Sequence, residues 1–88
     1  MSSKSNYINN IIPKQIYVKI KVASFQYYIV PTDVSHYVEQ LKDQIEFEIL
    51  IPKKNQSLKF NDIELYDNKC LFDYDIVHNS VIVLETKS

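Results

Sequence analysis

Residues 15–22 read QIYVKIKV, and residues 24–30 read SFQYYIV. In the first run Ile16, Val18, Ile20 and Val22 alternate with Tyr17, Lys19 and Lys21. A period of two sends neighbouring side chains to opposite faces, which marks a half-buried strand. In the second run Phe25, Tyr27 and Ile29 alternate with Gln26 and Tyr28. This predicts a second strand with Phe25, Tyr27 and Ile29 inward. The gap around Ala23-Ser24 has room for a hairpin turn only. No Asn-Gly pair marks that turn, so its type and register stay open.

At Pro31 the period changes. Pro31 is expected to close the strand, and Thr32 or Asp33 can cap a helix. Val34, Val38, Leu41 and Ile45 form one apolar stripe, which predicts a helix from about 33 to about 46. Residues 47–52, FEILIP, fit either a strand or a helix exit that buries Phe47, Ile49 and Ile51. Residues 57–60, SLKF, and 63–66, IELY, read as short strands around an Asn61-Asp62 turn. Leu71 to Ile76 fits a compact loop or a single helical turn. Residues 81–85, VIVLE, form the last strand, with Ile82 and Leu84 on one face.

A hairpin, then a helix packing across one sheet face, then further strands, is an α+β plan. It predicts a mixed sheet of four to five strands with one helix packed across it. The first and last strands can pair in parallel, because the helix lies between them in the chain. The predicted core takes Ile16, Val18, Ile20, Phe25, Tyr27 and Ile29 from the hairpin. It takes Val34, Val38, Leu41 and Ile45 from the helix. The rest contributes Ile51, Leu58, Phe60, Leu65, Leu71, Ile76, Ile82 and Leu84.

The chain has 88 residues, enough for one small domain. Hydrophobic residues at 45% and charged residues at 24% argue against a disordered chain. Residues 1–13 are rich in Ser and Asn and read as a flexible arm before a domain at 14–88. Ten basic against eleven acidic residues leave a net charge of −1, so no pull toward nucleic acid or anionic membrane is expected. Every basic residue is Lys, so bidentate Arg recognition of phosphate or guanine is unavailable. The single Cys70 excludes an internal disulfide and a Cys-cluster zinc site. No apolar run approaches a membrane span, and the N-terminus lacks the apolar core of a signal peptide. Cytoplasm and nucleus are therefore the expected locations. Gly is absent, so positions needing positive φ are expected to fall to Asn or Asp.

Catalytic chemistry finds little support. His36 is placed on the helix off its apolar stripe, and His78 in a turn. Cys70 reads as small filler. Asp67, Asp73 and Asp75 lack the Gly and the terminal Glu of a calcium loop. Asp73 is expected to cap a short turn, and Tyr74 to bond local backbone. No catalytic residue, metal or cofactor is expected.

This order of elements, with these residues, resembles ubiquitin and the ubiquitin-like β-grasp domains over roughly residues 15–87. The motifs are Gln15-Ile16-Tyr17-Val18-Lys19, Val30-Pro31-Thr32-Asp33, Ile51-Pro52, and Gln56-Ser57-Leu58-Lys59-Phe60 with Glu64-Leu65. Most specific is Leu71-Phe72-Asp73-Tyr74-Asp75-Ile76, which is similar to the family's Leu-Ser-Asp-Tyr-Asn-Ile. The helix-to-Ile51 interval is about three residues longer than in ubiquitin and the first hairpin about one shorter, both at places that tolerate change.

The departures bear on function. Conjugated members end in a slim Gly-Gly tail, whereas this chain ends Glu85-Thr86-Lys87-Ser88 and has no Gly. The resemblance therefore implies a non-conjugated protein-interaction module, either a domain of a larger protein or a small subunit of an assembly. The alternative is a modifier whose Gly-Gly tail is absent from this chain. Ubiquitin's apolar binding patch aligns with Lys21, Lys59 and Glu85, which disfavours ordinary ubiquitin receptors. In the family's sheet order, Tyr17, Lys19 and Lys21 share an outward face with Gln26, Tyr28 and Val30 and with Val81, Val83 and Glu85. Tyr17, Tyr28, Val81 and Val83 are then expected to form a patch rimmed by Lys19, Lys59 and Glu85, with Lys21 a further candidate partner contact. Tyr suits such a surface because it carries large area on few rotors. The expected partner is a protein, with no nucleic acid and no membrane, and the chain is expected to be a monomer in isolation or a subunit of a hetero-complex.

Overall fold

The computed structural model describes residues 14–87; the arm expected at 1–13 lies outside the described residues. Strands β1 (Gln15–Ala23) and β2 (Gln26–Asp33) lead into helix α1 (Val38–Ile49). A 3-10 turn at Lys53–Asn55 precedes β3 (Gln56–Phe60) and the short β4 (Ile63–Glu64). A second 3-10 turn, Leu71–Tyr74, precedes β5 (Val81–Thr86). The sheet order is β2-β1-β5-β3-β4. β1 pairs in parallel with β5, and the remaining neighbours are antiparallel. This is the mixed sheet with one helix expected from the sequence.

Alternation in β1 and β5 works as read. Ile16, Val18 and Ile20 join Ile82, Leu84 and Leu58 in one buried cluster with Val38, Leu41 and Ile45 of the helix. Full burial of each such side chain contributes roughly 1.5–3 kcal/mol. Leu65, Leu71 and Ile76 close the cluster from the loops.

The face expected for β2 is inverted. Val30 and Thr32 are buried, whereas Phe25 is 96% exposed and Tyr27 and Ile29 are about half exposed. Tyr28, expected outward, lies opposite buried Ile20 and packs against the core. The hairpin turn causes the inversion. It closes from Ala23 to Gln26 over Ser24-Phe25, with a register irregularity between Lys21 and Ala23. Because SFQYYIV is apolar on both faces, periodicity alone does not choose between them. Pro31 also does not end the strand, which runs on to Asp33. A proline is tolerated there because β2 is an edge.

The helix starts later than the stripe implies. Asp33 Oδ1 accepts the Ser35 N–H at 2.8 Å and its hydroxyl at 2.6 Å, folding residues 34–36 into a turn. The Ser35 hydroxyl and amide hold the Asp33 carboxyl below the usual carboxylate range. His36 therefore sits in that turn, not on the helix, with Nδ1 3.5 Å from Thr32 Oγ1. Helix entry is fixed by Gln40, whose Oε1 accepts the Tyr37 N–H at 2.9 Å. FEILIP is a helix exit. Ile49 and Ile51 pack on the core, but Phe47 is 82% exposed. Leu50 ends the helix in the left-handed region at φ 68°, its N–H donating to the Glu46 carbonyl at 2.8 Å. Among the described residues, the others with positive φ are Asn61, Asp62, Asp75 and Asn79, the types expected in a chain without Gly.

Two polar groups anchor the interior. Lys42 is buried, and its Nζ meets Asp67 Oδ1 at 2.7 Å. Gln56 is fully buried, and its Nε2 donates to the carbonyls of Lys42 and Ile51 at 3.0 Å each. Asp73 caps the second 3-10 turn by accepting the Cys70 N–H at 3.0 Å. The Tyr74 hydroxyl accepts the Tyr66 N–H at 2.9 Å. Both roles match the sequence reading.

Candidate functional site

The sheet face turned away from α1 carries two cross-strand rows. In the first, Ile29 of β2, Lys19 of β1 and Val81 of β5 are direct neighbours. In the second, Tyr27, Lys21, Val83, Lys59 and Glu64 follow one another across all five strands. Directly opposed residues bring their side chains within about 4.5–5.5 Å, so each row is a continuous surface. Tyr17 extends the patch beside Pro31, and Glu85 lies opposite Ser57.

Each of Tyr17, Lys19, Lys21, Lys59, Val81, Val83 and Glu85 lies on this face, as the alternation implies. Tyr28 does not, because it faces the helix side. Tyr27 and Ile29 take its place, and the sequence reading missed both. The signal that finds them is the register of the hairpin, which a doubly apolar strand conceals.

Tyr17 is held at both ends of its residue. Its backbone N–H donates to His78 Nδ1 at 3.1 Å, and its carbonyl accepts the Asn79 N–H at 2.7 Å. The Tyr17 and His78 rings meet edge to face with centroids 5.9 Å apart. The residue stays 52% exposed. An exposed aromatic on a fixed backbone is a ready binding surface, since little freedom is lost when a partner covers it.

The electrostatics are lopsided. Lys59 pairs with Glu85 at 3.4 Å, an exposed contact that contributes little to stability. Among the described residues, no carboxylate lies within ion-pair distance of Lys19 or Lys21. The patch thus presents aromatic and aliphatic groups among free ammonium groups.

Among the described residues, no group of three or more His, Cys, Asp or Glu gathers in metal-binding geometry. His36 meets the nearby Thr32 hydroxyl, and His78 accepts the Tyr17 backbone N–H. Cys70 is partly buried at the start of the second 3-10 turn. No helix among the described residues is long and apolar enough to cross a membrane.

No curated protein matches the chain. Among solved structures, it is similar to the solution NMR structure of a ubiquitin-like domain from an Arabidopsis thaliana protein. That match has a TM-score of 0.79 at 34% identity and covers 85% of this chain and 80% of the other. The sequence pattern described as the ubiquitin family matches residues 16–88. The chain belongs to the ubiquitin family.

Proposed function

We propose that the domain is a noncovalent protein-interaction module and that its working surface is the open sheet face around Tyr17, Tyr27, Ile29, Val81 and Val83. The supporting observation is the row Tyr27–Lys21–Val83–Lys59, in which apolar and cationic side chains alternate across neighbouring strands. Such a row suits a partner that offers apolar side chains flanked by carboxylates. Apolar contact supplies the affinity, and Lys19 and Lys21 orient the partner. The module acts by binding and performs no catalysis. By the motif alignment, Lys59 and Glu85 fall where ubiquitin presents part of its apolar patch, which favours a partner of a different class from ordinary ubiquitin receptors. Lys21 lies within the β1 ladder, opposite Tyr27 and Val83, and not at the hairpin turn.

Photo-cross-linking tests this reading. A benzophenone side chain placed at Val83 is expected to capture a defined partner from native extract. The same group at Phe47, on the helix, is the comparison. Capture from position 47 and none from position 83 would move the working surface to the helix.

A further inference from the structure

β2 is an edge strand, paired with β1 on one side only among the described residues. Backbone directions at this edge follow from its neighbours. Tyr17 bonds His78 and Asn79, and the Lys19 N–H donates to the Ser80 carbonyl at 2.9 Å. Both residues thus spend backbone groups toward β5. Tyr17–Pro31 and Lys19–Ile29 are therefore non-hydrogen-bonded positions of the β1–β2 ladder, and alternation makes Lys21–Tyr27 another. At those positions the backbone groups of β2 point to the open edge. Pro31 has no N–H, and its carbonyl accepts from the Gln44 side chain. The N–H and C=O of Tyr27 and of Ile29 are left facing outward.

Native edges are usually guarded by charge. Residues 22–32, VASFQYYIVPT, carry none; Pro31 guards one end, where Asp43, Gln44 and Glu48 of α1 also flank it. Tyr27 and Ile29 are exposed along the strand, and Phe25 is exposed at the turn before it.

We propose that this edge pairs with the same edge of a second copy of the chain, antiparallel about a two-fold axis at Tyr28. That register sets Tyr27 against Ile29 of the second copy, and Ile29 against its Tyr27. Every outward N–H then meets an outward carbonyl. On the open face, Tyr27 and Ile29 alternate with their counterparts, and the two apolar patches become continuous. On the helix side, the Tyr28 rings meet across the axis at the close, non-hydrogen-bonded spacing. A two-fold contact needs a self-complementary strand. A strand without charge and with matched donors and acceptors around one residue meets that need; the carboxylates of Asp43 and Glu48 in α1 flank the edge beside Val30 and Pro31, away from the axis at Tyr28. A contact through one short strand per copy is expected to be weak, so it is sought up to millimolar concentration. This pairing departs from the expected monomer. It does not depend on the sheet-face reading, and either stands if the other fails.

The test uses the full 88-residue chain in sedimentation and in amide-exchange NMR, from about 10 μM to about 1 mM. The particle mass is expected to rise from 10.4 kDa toward twice that value. Exchange at the Tyr27 and Ile29 amides is expected to slow with concentration, while that at Val30 stays constant. Ile29→Pro removes an outward N–H and no internal bond; Tyr27→Lys sets like charges near the axis. Each variant is expected to stay monomeric, and Tyr27→Lys serves if the proline variant fails to fold. A monomer at about 1 mM with concentration-independent exchange overturns the proposal and leaves the edge to a foreign strand. Association that persists in a folded variant, or leaves both amides unprotected, places the contact elsewhere and overturns it too.

Discussion

Tyr17 donates its backbone N–H to Nδ1 of His78 at 3.1 Å, and the two rings stand edge to face at 5.9 Å. A strand residue thereby takes its hydrogen bond from a loop 61 positions away. The contact fixes the tautomer that carries its proton on Nε2, and it sets the base of the candidate patch. His78→Ala leaves the Tyr17 N–H to water and is expected to cost about 1 kcal/mol in urea unfolding. The Tyr17 ring resonances are expected to move with it. An unchanged midpoint and unchanged Tyr17 shifts would contradict the contact.

Lys42 and Asp67 differ sharply in exposure, at 9% and 54% of their side chains. Removing the carboxylate strands a buried ammonium, whereas removing the ammonium leaves a carboxylate that water can reach. Asp67→Ala is therefore expected to cost about 2 kcal/mol, less than the 3–5 typical of a wholly buried pair. Lys42→Met keeps the apolar stem and is expected to cost less than Asp67→Ala. Chemical denaturation of both variants checks the order, and the reverse order would contradict it.

Leu50 holds φ at 68° while 81% exposed. A left-handed position costs a residue with a Cβ roughly 1–2 kcal/mol, and Gly is the usual residue there. Leu50→Gly is expected to raise stability by about 0.5–1 kcal/mol, net of the extra freedom glycine has when unfolded. A lower melting temperature would show that Leu50 makes contacts that outweigh its backbone strain.

Asp33 has a depressed carboxyl because the Ser35 hydroxyl and amide bond it. A folded value below the unfolded value of about 3.9 adds stability above that pH, and the gain is lost as pH falls through the folded value. In Ser35→Ala, Asp33 is expected to titrate nearer the ordinary range in a carboxyl NMR titration. An unchanged titration would remove the hydroxyl as the main cause.

Much of this fold was legible because β1, β5 and α1 each bury one face. Ile16, Val18, Ile20, Ile82, Leu84, Val38, Leu41 and Ile45 fall where period predicts, and all are buried. The face of β2 is not legible, because Tyr27, Tyr28, Ile29 and Val30 are all compatible with burial. Its face depends on which residues close the hairpin, a long-range choice that no local period records. Of the patch, the β1 and β5 members could be read from alternation. Tyr27 and Ile29 could not, because alternation alone points to Tyr28, which packs on the core. The Lys42–Asp67 pair was also hidden, since a lysine inside an amphipathic helix reads as surface until a loop folds over it.

The claim that the open sheet face is the working surface is tested most directly by a Tyr17→Ala/Val83→Lys double variant. Both side chains lie on that face outside the core, so the fold is expected to persist and is checked by its NMR spectrum. Partners captured from native extract by residues 1–88 are compared between the parent and the variant. The account predicts that a specific partner is weakened by at least about tenfold with the fold intact. An unchanged set of partners would contradict it.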